Sequence, residues 1–427
     1  MFVAGHVRKI AGLAVGAAFM LSIVPVASQL AGAASNVPAV APTPAVTPAL
    51  AYAANAFGTT VNVGKVLTSG PTADIALGCT MASGVTRSDT AVGLTLPGVT
   101  SGTISNVVSS DSVDGNPTAS ASSTISGASL AGGIISATAI SATAQTTFAG
   151  GVFSNAGGAT LVGLTIGSQT LAADPPPNTK IAVPGVGSLI LNQQTATPTS
   201  LTVNAIDLTV TVASTGLGLG TKIVIGHAHS ALLGPTTGEM GGIAFGASLT
   251  GTGVVALGRV APAYLPCLGT DGVTDTNTTL GITTPLVSTA TISSSDEGDA
   301  LPAGPQATTS DTIQGVNLLP GVLGSLVSAT TVTATASATL ANGITTVSET
   351  GSQFVGLSVA GFPLINDDVA PNTELSIPGV GTLWLNRVIV SPHGIEVRMI
   401  ELVLSVSVSG NPAGTDLIIS DASARVF

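Results

Sequence analysis

The chain carries the same sequence pattern twice. Residues 177–187 return 194 positions later as residues 371–381, with Pro-Asn-Thr and Pro-Gly-Val-Gly at matching places. Nearer the start the offset is 188 positions, as between Ala-Phe-Gly at 56–58 and the same triplet at 244–246. Small insertions in the second copy explain the difference. A chain duplicated in this way must fold as two related domains.

The repeat sets the expected domain boundaries. We predict a first domain at residues 54–231, a linker at 232–241 and a second domain at 242–427. Each copy has about 180 residues and can bury a core of its own without a metal or several disulfides.

The first 33 residues have the order of a secretory signal peptide. Arg8 and Lys9 precede an apolar run at residues 10–27, and Ala-Gly-Ala follows at 31–33. We expect cleavage after Ala33. An uncleaved membrane anchor is the alternative, because the apolar run is close to the shortest length that spans a bilayer.

Residues 34–53 contain four prolines among Ala, Val and Thr. This composition favours an extended linker over a packed core. Farther along, the apolar segment at 240–269 corresponds to a polar one at 55–78, so we predict no membrane span in the mature chain. The protein is expected to be secreted, extracellular or associated with the cell surface.

Charged residues make up only 7% of the chain, against about 25% in typical domains. The formal net charge of -11 argues against nucleic acid and anionic lipid as partners. Uncharged polar residues and glycine must therefore cover the surface. Such surfaces are weakly protected against association, which indicates cell-envelope components, or a second copy of the protein, as partners.

Alternation of apolar and polar residues dominates both copies. In Thr-Val-Thr-Ala-Thr-Ala-Ser-Ala-Thr-Leu at 331–340, apolar and hydroxyl side chains alternate, as in a strand with one buried face. Later strands change phase at Ile206 and Ile400, which predicts a β-bulge at each position. We predict an all-β fold of two antiparallel domains, each a sandwich or jelly roll, with a β-solenoid as the alternative.

Several segments resemble one family of secreted proteins. They are Leu-Ala-Gly-Gly-Ile-Ile-Ser-Ala-Thr-Ala at 130–139, the Pro-Asn-Thr and Pro-Gly-Val-Gly strand pair ending in Leu-Asn at 191–192, Leu-Thr-Val-Asn-Ala-Ile at 201–206 and Val-Ile-Gly-His-Ala at 224–228. Together they resemble the secreted actinobacterial proteins of the choice-of-anchor P family. The resemblance implies export but no particular activity. The family's name reflects variable C-terminal anchors, and no such anchor motif is evident here.

Cys79 and Cys267 are the only cysteines and occupy equivalent positions of the two copies. An even number of cysteines in an exported chain favours a disulfide, with two buried thiols as the alternative. Equivalent positions can meet only on a twofold axis. A bond between them therefore predicts that the copies pack about a pseudo-twofold axis.

Three equivalent positions carry opposite charges in the two copies. These could be complementary contacts between copies, although drift on solvated surfaces explains them better, because exposed ion pairs contribute little. The pairs are Arg87 and Asp275, Lys180 and Glu374, and Lys222 and Asp416.

No residue set predicts a metal or a cofactor. His227 and His229 lie on one strand face with the spacing of a metal pair, but nearby ligands to complete a site are missing. The acidic stretches at 111–114 and 296–299 lack the ligand order of a calcium loop and are equally typical of Asp-rich turns.

The sequence argues against catalysis. Besides His227 and His229, the mature chain offers only His393, and no strand-turn-helix nucleophile motif is evident. We therefore expect a non-enzymatic structural or adhesive protein of the bacterial cell envelope. A glycan- or protein-binding module is the alternative. Aromatic residues are few, and Trp384, whose counterpart is Ile190, is expected to pack rather than bind.

Export and the disulfide can be tested together by the intact mass of the purified protein. We expect a chain that begins at Ala34 and weighs two hydrogens less than its reduced form. Alkylation before reduction should add nothing. A retained N-terminus would contradict cleavage, and two alkylatable thiols would contradict the disulfide.

Overall fold

A computed structural model describes residues 50–63, 66–213, 217–234, 239–251, 258–301, 304–320 and 324–427. The predicted signal peptide at 1–33 and residues 34–49 of the predicted linker lie outside this part of the chain. Within it, regular structure consists of antiparallel strands and a single 3₁₀ turn at Ala131–Gly133. The predicted all-β fold is confirmed.

The strands of the first copy are β1 (Ala51–Val63), β2 (Val66–Ser69), β3 (Ile75–Ala76), β4 (Val85–Ala91), β5 (Thr95–Leu96), β6 (Val99–Ser101), β7 (Ile104–Val113), β8 (Asn116–Ile125), β9 (Ala128–Leu130), β10 (Ile135–Ala137), β11 (Ala139–Ala149), β12 (Val152–Val162), β13 (Thr165–Ile166), β14 (Gln169–Thr170), β15 (Thr179–Val183), β16 (Gly187–Thr197), β17 (Ser200–Val210) and β18 (Thr221–Leu233).

The strands of the second copy are β19 (Met240–Thr250), β20 (Ala263–Leu265), β21 (Asp275–Thr279), β22 (Val287–Ser288), β23 (Ile292–Leu301), β24 (Gly304–Leu318), β25 (Val327–Ala341), β26 (Ile344–Ser348), β27 (Gln353–Val355), β28 (Ser358–Val359), β29 (Thr373–Ile377), β30 (Gly381–Ser391), β31 (Gly394–Leu404) and β32 (Asp416–Val426).

Each copy is a sandwich of two main sheets. In the first copy, the first sheet has the order β15-β16-β17-β18-β1-β2, with β3 beside β1. The second sheet has the order β12-β11-β8-β7-β4 and packs on the first, so that the apolar side chains between them form one core. A third sheet of very short strands has the order β14-β13-β10-β9-β6-β5.

The second copy repeats this plan with longer strands. Its first sheet is β20-β19-β32-β31-β30-β29, and its second sheet is β21-β23-β24-β25-β26 with β22, β27 and β28 paired at the sides. These sheets enclose a second core. Neighbouring strands therefore pair side by side in antiparallel sheets rather than stacking as successive coils. The solenoid alternative is wrong, and the sandwich is the observed architecture.

Pairing extends beyond the expected domain boundaries. β1 begins at Ala51 because that residue pairs with Leu233 of β18, inside the linker expected at 232–241. β19 likewise begins at Met240, which pairs with Val426. The expected linker at 232–241 therefore begins with the end of β18 and finishes with the start of β19. Residues 235–238 between them lie outside the described part of the chain.

The phase change predicted at Ile206 occurs without an added residue. Ala205 and Ile206 are both buried, yet β17 keeps the same register with β18 on both sides of this point. The ladder skips Ala205, which lies between Asn192 of β16 and Gly226 of β18. Those two neighbours have φ angles of 48° and 68°. A left-handed residue in each adjacent strand replaces the expected β-bulge.

The second copy changes phase in the same manner. Met399 and Ile400 are both buried, and the ladder skips Met399 between Asn386 and Ser420. The φ angles of Asn386 and Ser420 are 50° and 56°. The kink therefore belongs to the duplicated fold and not to one copy.

A close approach of the two sheets accompanies the kink. A Cβ atom at Gly58 of β1 would overlap Ile104, and one at Gly246 of β19 would overlap the equivalent Ile292. Both isoleucines are fully buried in their cores. Glycine at these two positions lets the strand backbone lie directly on a core side chain.

The core of the second copy holds an unusual carboxyl group. Asp311 of β24 is fully buried, and its Oδ1 accepts a hydrogen bond of 2.7 Å from the Ser294 hydroxyl. Its Oδ2 has no partner among the described residues. Burial raises the pKa of Asp311 to about 7, although hydrogen bonds from Ser294 and Ser420 oppose this shift. The first copy has Ser123 at the equivalent position.

Asp311 predicts that stability falls as pH rises. Its pKa is higher in the folded chain than in the unfolded chain, where it is about 3.9. The stabilising effect of the bound proton is therefore complete below about pH 4 and is lost as pH rises through 7. Asp311→Asn should flatten the dependence of the unfolding free energy on pH and stabilise the protein by a few kcal/mol at pH 8.

Denaturant unfolding at several pH values tests this expectation. Asp114→Asn, in an exposed turn, serves as the control and should leave the profile unchanged. An unchanged slope for Asp311→Asn would show that another group causes the dependence.

Candidate functional site at the junction of the copies

Cys79 and Cys267 form a disulfide, as the sequence predicts. Their Cα atoms are 4.9 Å apart, and each cysteine follows an edge strand, β3 in the first copy and β20 in the second. Both residues are buried in a small apolar cluster with Ala51 and Leu233. The bond joins equivalent points of the two sandwiches.

Other contacts across the junction are reciprocal. Gly70 approaches the carbonyl group of Arg259 so closely that a Cβ atom there would overlap it, and Gly258 approaches Pro71 in the same way. Gly258 is the counterpart of Gly70, and Arg259 is the counterpart of Pro71, each 188 positions later. The two contacts therefore join the same pair of equivalent positions in opposite directions. Reciprocal contacts of this kind define a twofold relation. The copies therefore meet about a pseudo-twofold axis, as expected from the cysteines.

One polar cluster breaks this symmetry. Asp74 of the first copy accepts a hydrogen bond of 2.7 Å from Arg259 Nη1 of the second copy. The same carboxylate oxygen accepts a hydrogen bond from the Tyr264 hydroxyl. The counterparts of these residues are Pro262, Pro71 and Ala76, which cannot repeat the arrangement.

The cluster alters the acid–base properties of its members. Burial alone would lower the pKa of Arg259, but the Asp74 carboxylate and Tyr264 outweigh it, so the net pKa is raised. Burial and the Asp74 carboxylate raise the pKa of Tyr264. Arg259 thus remains charged and Tyr264 remains protonated at neutral pH. The guanidinium also lies over the Phe245 ring, 5.3 Å from its centroid.

Two adjoining clefts open at this cluster. We call the larger one the junction cleft; it has a volume of about 580 Å³ and extends from Asp74 and Asp89 to Arg398 and Asp421. The smaller one, the disulfide cleft, has a volume of about 210 Å³ and extends from Cys79 to Arg425. Both are walled by the two copies together. Five residues line both clefts: Asp74, Ile243, Arg259, Ser423 and Arg425.

Scarce charges are concentrated here. Of the five arginines in the described part of the chain, four line the two clefts: Arg87, Arg259, Arg398 and Arg425. Four carboxylates line the junction cleft: Asp74, Asp89, Glu396 and Asp421. In a charge-poor chain, this concentration identifies the junction as the candidate functional site.

Arg398 is the centre of the ion-pair network in the junction cleft. Its guanidinium lies 2.6 Å from Glu396, 3.1 Å from Glu401 and 3.6 Å from Asp421. Burial raises the pKa of Asp421 well above its usual range, and Glu396 raises it further. Arg387 adds a second contact to Glu401 at 2.6 Å.

Trp384 packs within this sheet. Its ring is partly buried, and the Arg387 guanidinium lies over it at 4.9 Å from the centroid. This stacking agrees with a packing role for the only tryptophan.

The two histidines of β18 do not act as free ligands. Nδ1 of His227 is hydrogen-bonded to Asn204 at 2.7 Å, and Nδ1 of His229 to Thr202 at 2.8 Å. His227 also stacks on Phe57 with ring centroids 4.2 Å apart. Burial lowers the pKa of His227 to about 3, so the ring is neutral at physiological pH. Across the described ranges, no three His, Cys, Asp or Glu residues lie close enough to hold a metal ion.

The acidic stretches differ from the expected loops. Asp111 is the eighth residue of β7 and accepts a hydrogen bond from Ser109. Residues 296–299 lie inside β23, where Asp296 is buried opposite Asp275. Burial and the Asp275 carboxylate raise the pKa of Asp296 to about 6.

The charge-inverted positions do not pair across the junction. Lys222 instead contacts Asp207 of its own copy at 3.4 Å. Among the residues that the structure describes, none of the three inverted pairs forms an ion pair between copies. The junction is held by Asp74 and Arg259 instead, which sequence comparison of the copies did not single out.

Protein-family models, curated proteins and solved structures gave no match. In the described ranges, no helix has the length and apolar character needed to cross a bilayer. The junction therefore has to be interpreted from its own chemistry.

Asp74→Asn should weaken the junction. The change removes the carboxylate that faces Arg259, whose side chain is 32% exposed, so we expect a loss of about 2 kcal/mol in the free energy of unfolding. Asp174→Asn replaces an exposed carboxylate and should cost less than about 0.5 kcal/mol. Equal effects of the two changes in denaturant unfolding would refute a stabilising role for Asp74.

Proposed function

We propose that the chain is a secreted, non-enzymatic structural or adhesive protein of the bacterial cell envelope. The observation that carries this proposal is a regular array of hydroxyl side chains on the outer face of the second sheet in both sandwiches. We call this array the hydroxyl face; its rows are defined below.

In the first copy, one row of the hydroxyl face crosses all five strands of the sheet. Each member pairs in register with the next, and none is buried. The row consists of Thr90, Ser105, Thr124, Ser141 and Thr160 on β4, β7, β8, β11 and β12.

The second copy has two such rows. One consists of Thr278, Ser293, Thr312 and Thr333, and the other of Thr276, Ser295, Ser310 and Thr335. The first of these rows occupies positions equivalent to those of the row in the first copy. Both copies therefore share one row, and the second copy adds another beside it.

The geometry of a sheet makes this face suitable for repeated hydrogen bonding. Neighbouring strands place the hydroxyls of a row about 4.8 Å apart, and alternate residues repeat the row about 6.8 Å farther along. A free hydroxyl can donate one hydrogen bond and accept two. Some hydroxyls of the rows already bond one another, as in Thr278–Ser293 and Thr312–Thr333, and these keep their remaining acceptor positions for a partner. Many weak bonds made together give strong attachment to a polymer or to a second sheet.

Three further features support the proposal. The disulfide suits an oxidising, extracellular environment. The N-terminal segment has the pattern of a signal peptide. The resemblance to the choice-of-anchor P family agrees with export to the envelope.

The proposal predicts that the hydroxyl face mediates attachment. Mature protein should sediment with purified envelope fragments or with itself. Thr124→Asp combined with Thr312→Asp should reduce this binding by at least about tenfold, because a carboxylate loses its hydration when it is covered by an uncharged polar surface, and this costs far more than covering a hydroxyl.

Ala196→Asp combined with Val390→Asp adds the same two charges at equivalent exposed positions of β16 and β30 in the first sheets, and this matched control should bind like the unmodified protein. Circular dichroism of each variant checks that folding is intact. Wild-type protein that neither self-associates nor binds envelope fragments would refute the proposal, and so would equal effects of the test and control variants.

A glycan- or protein-binding module is the second candidate. The specific observation in its favour is the pair of clefts at the junction, where charged groups converge in a chain that otherwise has few. Thr90 belongs to both surfaces, but Thr124 and Thr312 line neither cleft, so variants at these two positions distinguish the candidates.

A further inference from the structure

Three of the five arginines in the described ranges are paired with carboxylates. Arg259 contacts Asp74, Arg387 contacts Glu401, and Arg398 contacts both Glu396 and Glu401. The two remaining arginines are Arg87 and Arg425. Neither forms an ion pair with any carboxylate that the structure describes.

These two unpaired arginines line the same cleft. Arg87 reaches the disulfide cleft from β4 of the first copy, and Arg425 reaches it from β32 of the second. Arg87 is oriented by a hydrogen bond of 3.1 Å from its Nη1 to the Ala76 carbonyl oxygen. Burial lowers the pKa of Arg87, and the charge of Arg425 lowers it further. The fold thus holds two like charges near each other without a counter-charge.

The remaining charges of the disulfide cleft leave it positive. Asp74 is the only carboxylate side chain in its lining, and Arg259 and Tyr264 already occupy one oxygen of that group. Among the side chains of the lining, three guanidinium groups therefore accompany one carboxylate, which is paired with Arg259. A net positive cleft in a chain of net charge -11 is a local reversal that attracts anions.

The walls of the cleft leave space for a small ligand. Gly78, Gly241 and Gly242 lie along it and carry no side chains, while Tyr264 and Phe427 provide apolar surface. Its volume of about 210 Å³ lies below the range of about 300–1,000 Å³ that is typical of drug-sized ligands. A ligand of monosaccharide size or smaller fits such a space.

We propose that Arg87 and Arg425 form an oxyanion-binding site between the two copies. The ligand is a carboxylate or phosphate group on a molecule of monosaccharide size or smaller. Guanidinium groups suit this role because their planar donors match two oxygens of a carboxylate or phosphate. No residue of the hydroxyl face lines this cleft, so the proposed site goes beyond the proposed adhesive function and is tested independently of it.

Isothermal titration calorimetry of the oxidised mature protein tests the site. The probes are glucuronate, glucose 6-phosphate, inorganic phosphate and uncharged glucose. Glucuronate or glucose 6-phosphate should bind at low salt, more weakly at high salt, and glucose should not bind. Arg87→Gln and Arg425→Gln should each weaken binding by at least about tenfold, because each removes a charged hydrogen-bond donor. Arg87→Lys, which keeps the charge but loses the planar donor pair, should lie between wild type and Arg87→Gln.

Lys180→Gln is the matched control, because it removes one positive charge from a lysine that lines neither cleft. It should change the affinity by less than about twofold, and all variants should melt at the wild-type temperature. Inorganic phosphate that binds as tightly as glucose 6-phosphate would identify the oxyanion alone as the ligand, and weaker binding would identify a sugar-borne anion. Absence of binding by every anion, equal binding of glucose, or equal loss in Lys180→Gln would overturn the proposal.

Discussion

The contact of the two copies on their pseudo-twofold axis is the constraint on which the rest of the structure depends. The disulfide links equivalent residues, which is possible only on that axis, and the reciprocal contacts at Gly70 and Gly258 fix the orientation of the copies. In the chain-entropy model, a bridge that closes a loop of this length stabilises the folded state by about 5 kcal/mol. The outer face of the first sheet in the second copy thereby lines the junction cleft, where Asp421 is buried while Glu396 and Arg398 stay partly exposed.

Polar residues of the first sheet differ between the copies although the backbone plan is the same. At one pair of equivalent positions, the first copy has His227, which is neutral and stacked on Phe57, while the second has Asp421, which is buried near Arg398. Divergence at such positions leaves the hydrogen-bonded ladder intact, because strand pairing uses backbone groups. The sandwich can therefore keep its architecture while its junction acquires charged groups.

Much of the fold follows from patterns that the sequence displays openly. Alternation along residues 331–340 predicts a strand because buried and exposed faces repeat every two residues, and the equivalence of Cys79 and Cys267 predicts both their bond and the axis. The pattern of β17 correctly predicts an irregularity at Ile206, but it wrongly predicts a β-bulge. The observed kink depends on the left-handed conformation of Gly226 in the neighbouring strand, which the pattern of β17 cannot reveal. The sequence does not predict the ion pair at the junction. Asp74 and Arg259 are isolated charges 185 positions apart in the sequence, and only three-dimensional packing brings them together.

The asymmetry at Asp74 explains what a fused pair can do that a homodimer cannot. In a dimer of identical chains, each substitution appears on both sides of the axis, so a new arginine would be accompanied by a second one at the symmetry-related position. Here Arg259 has Pro71 as its counterpart and Asp74 has Pro262, so a single ion pair occupies one side and the other side stays uncharged. Joining the copies in one polypeptide removed the requirement that both halves change together. Charged residues could then be placed on one side of the axis alone, while the hydroxyl row shared by the two copies was kept in both.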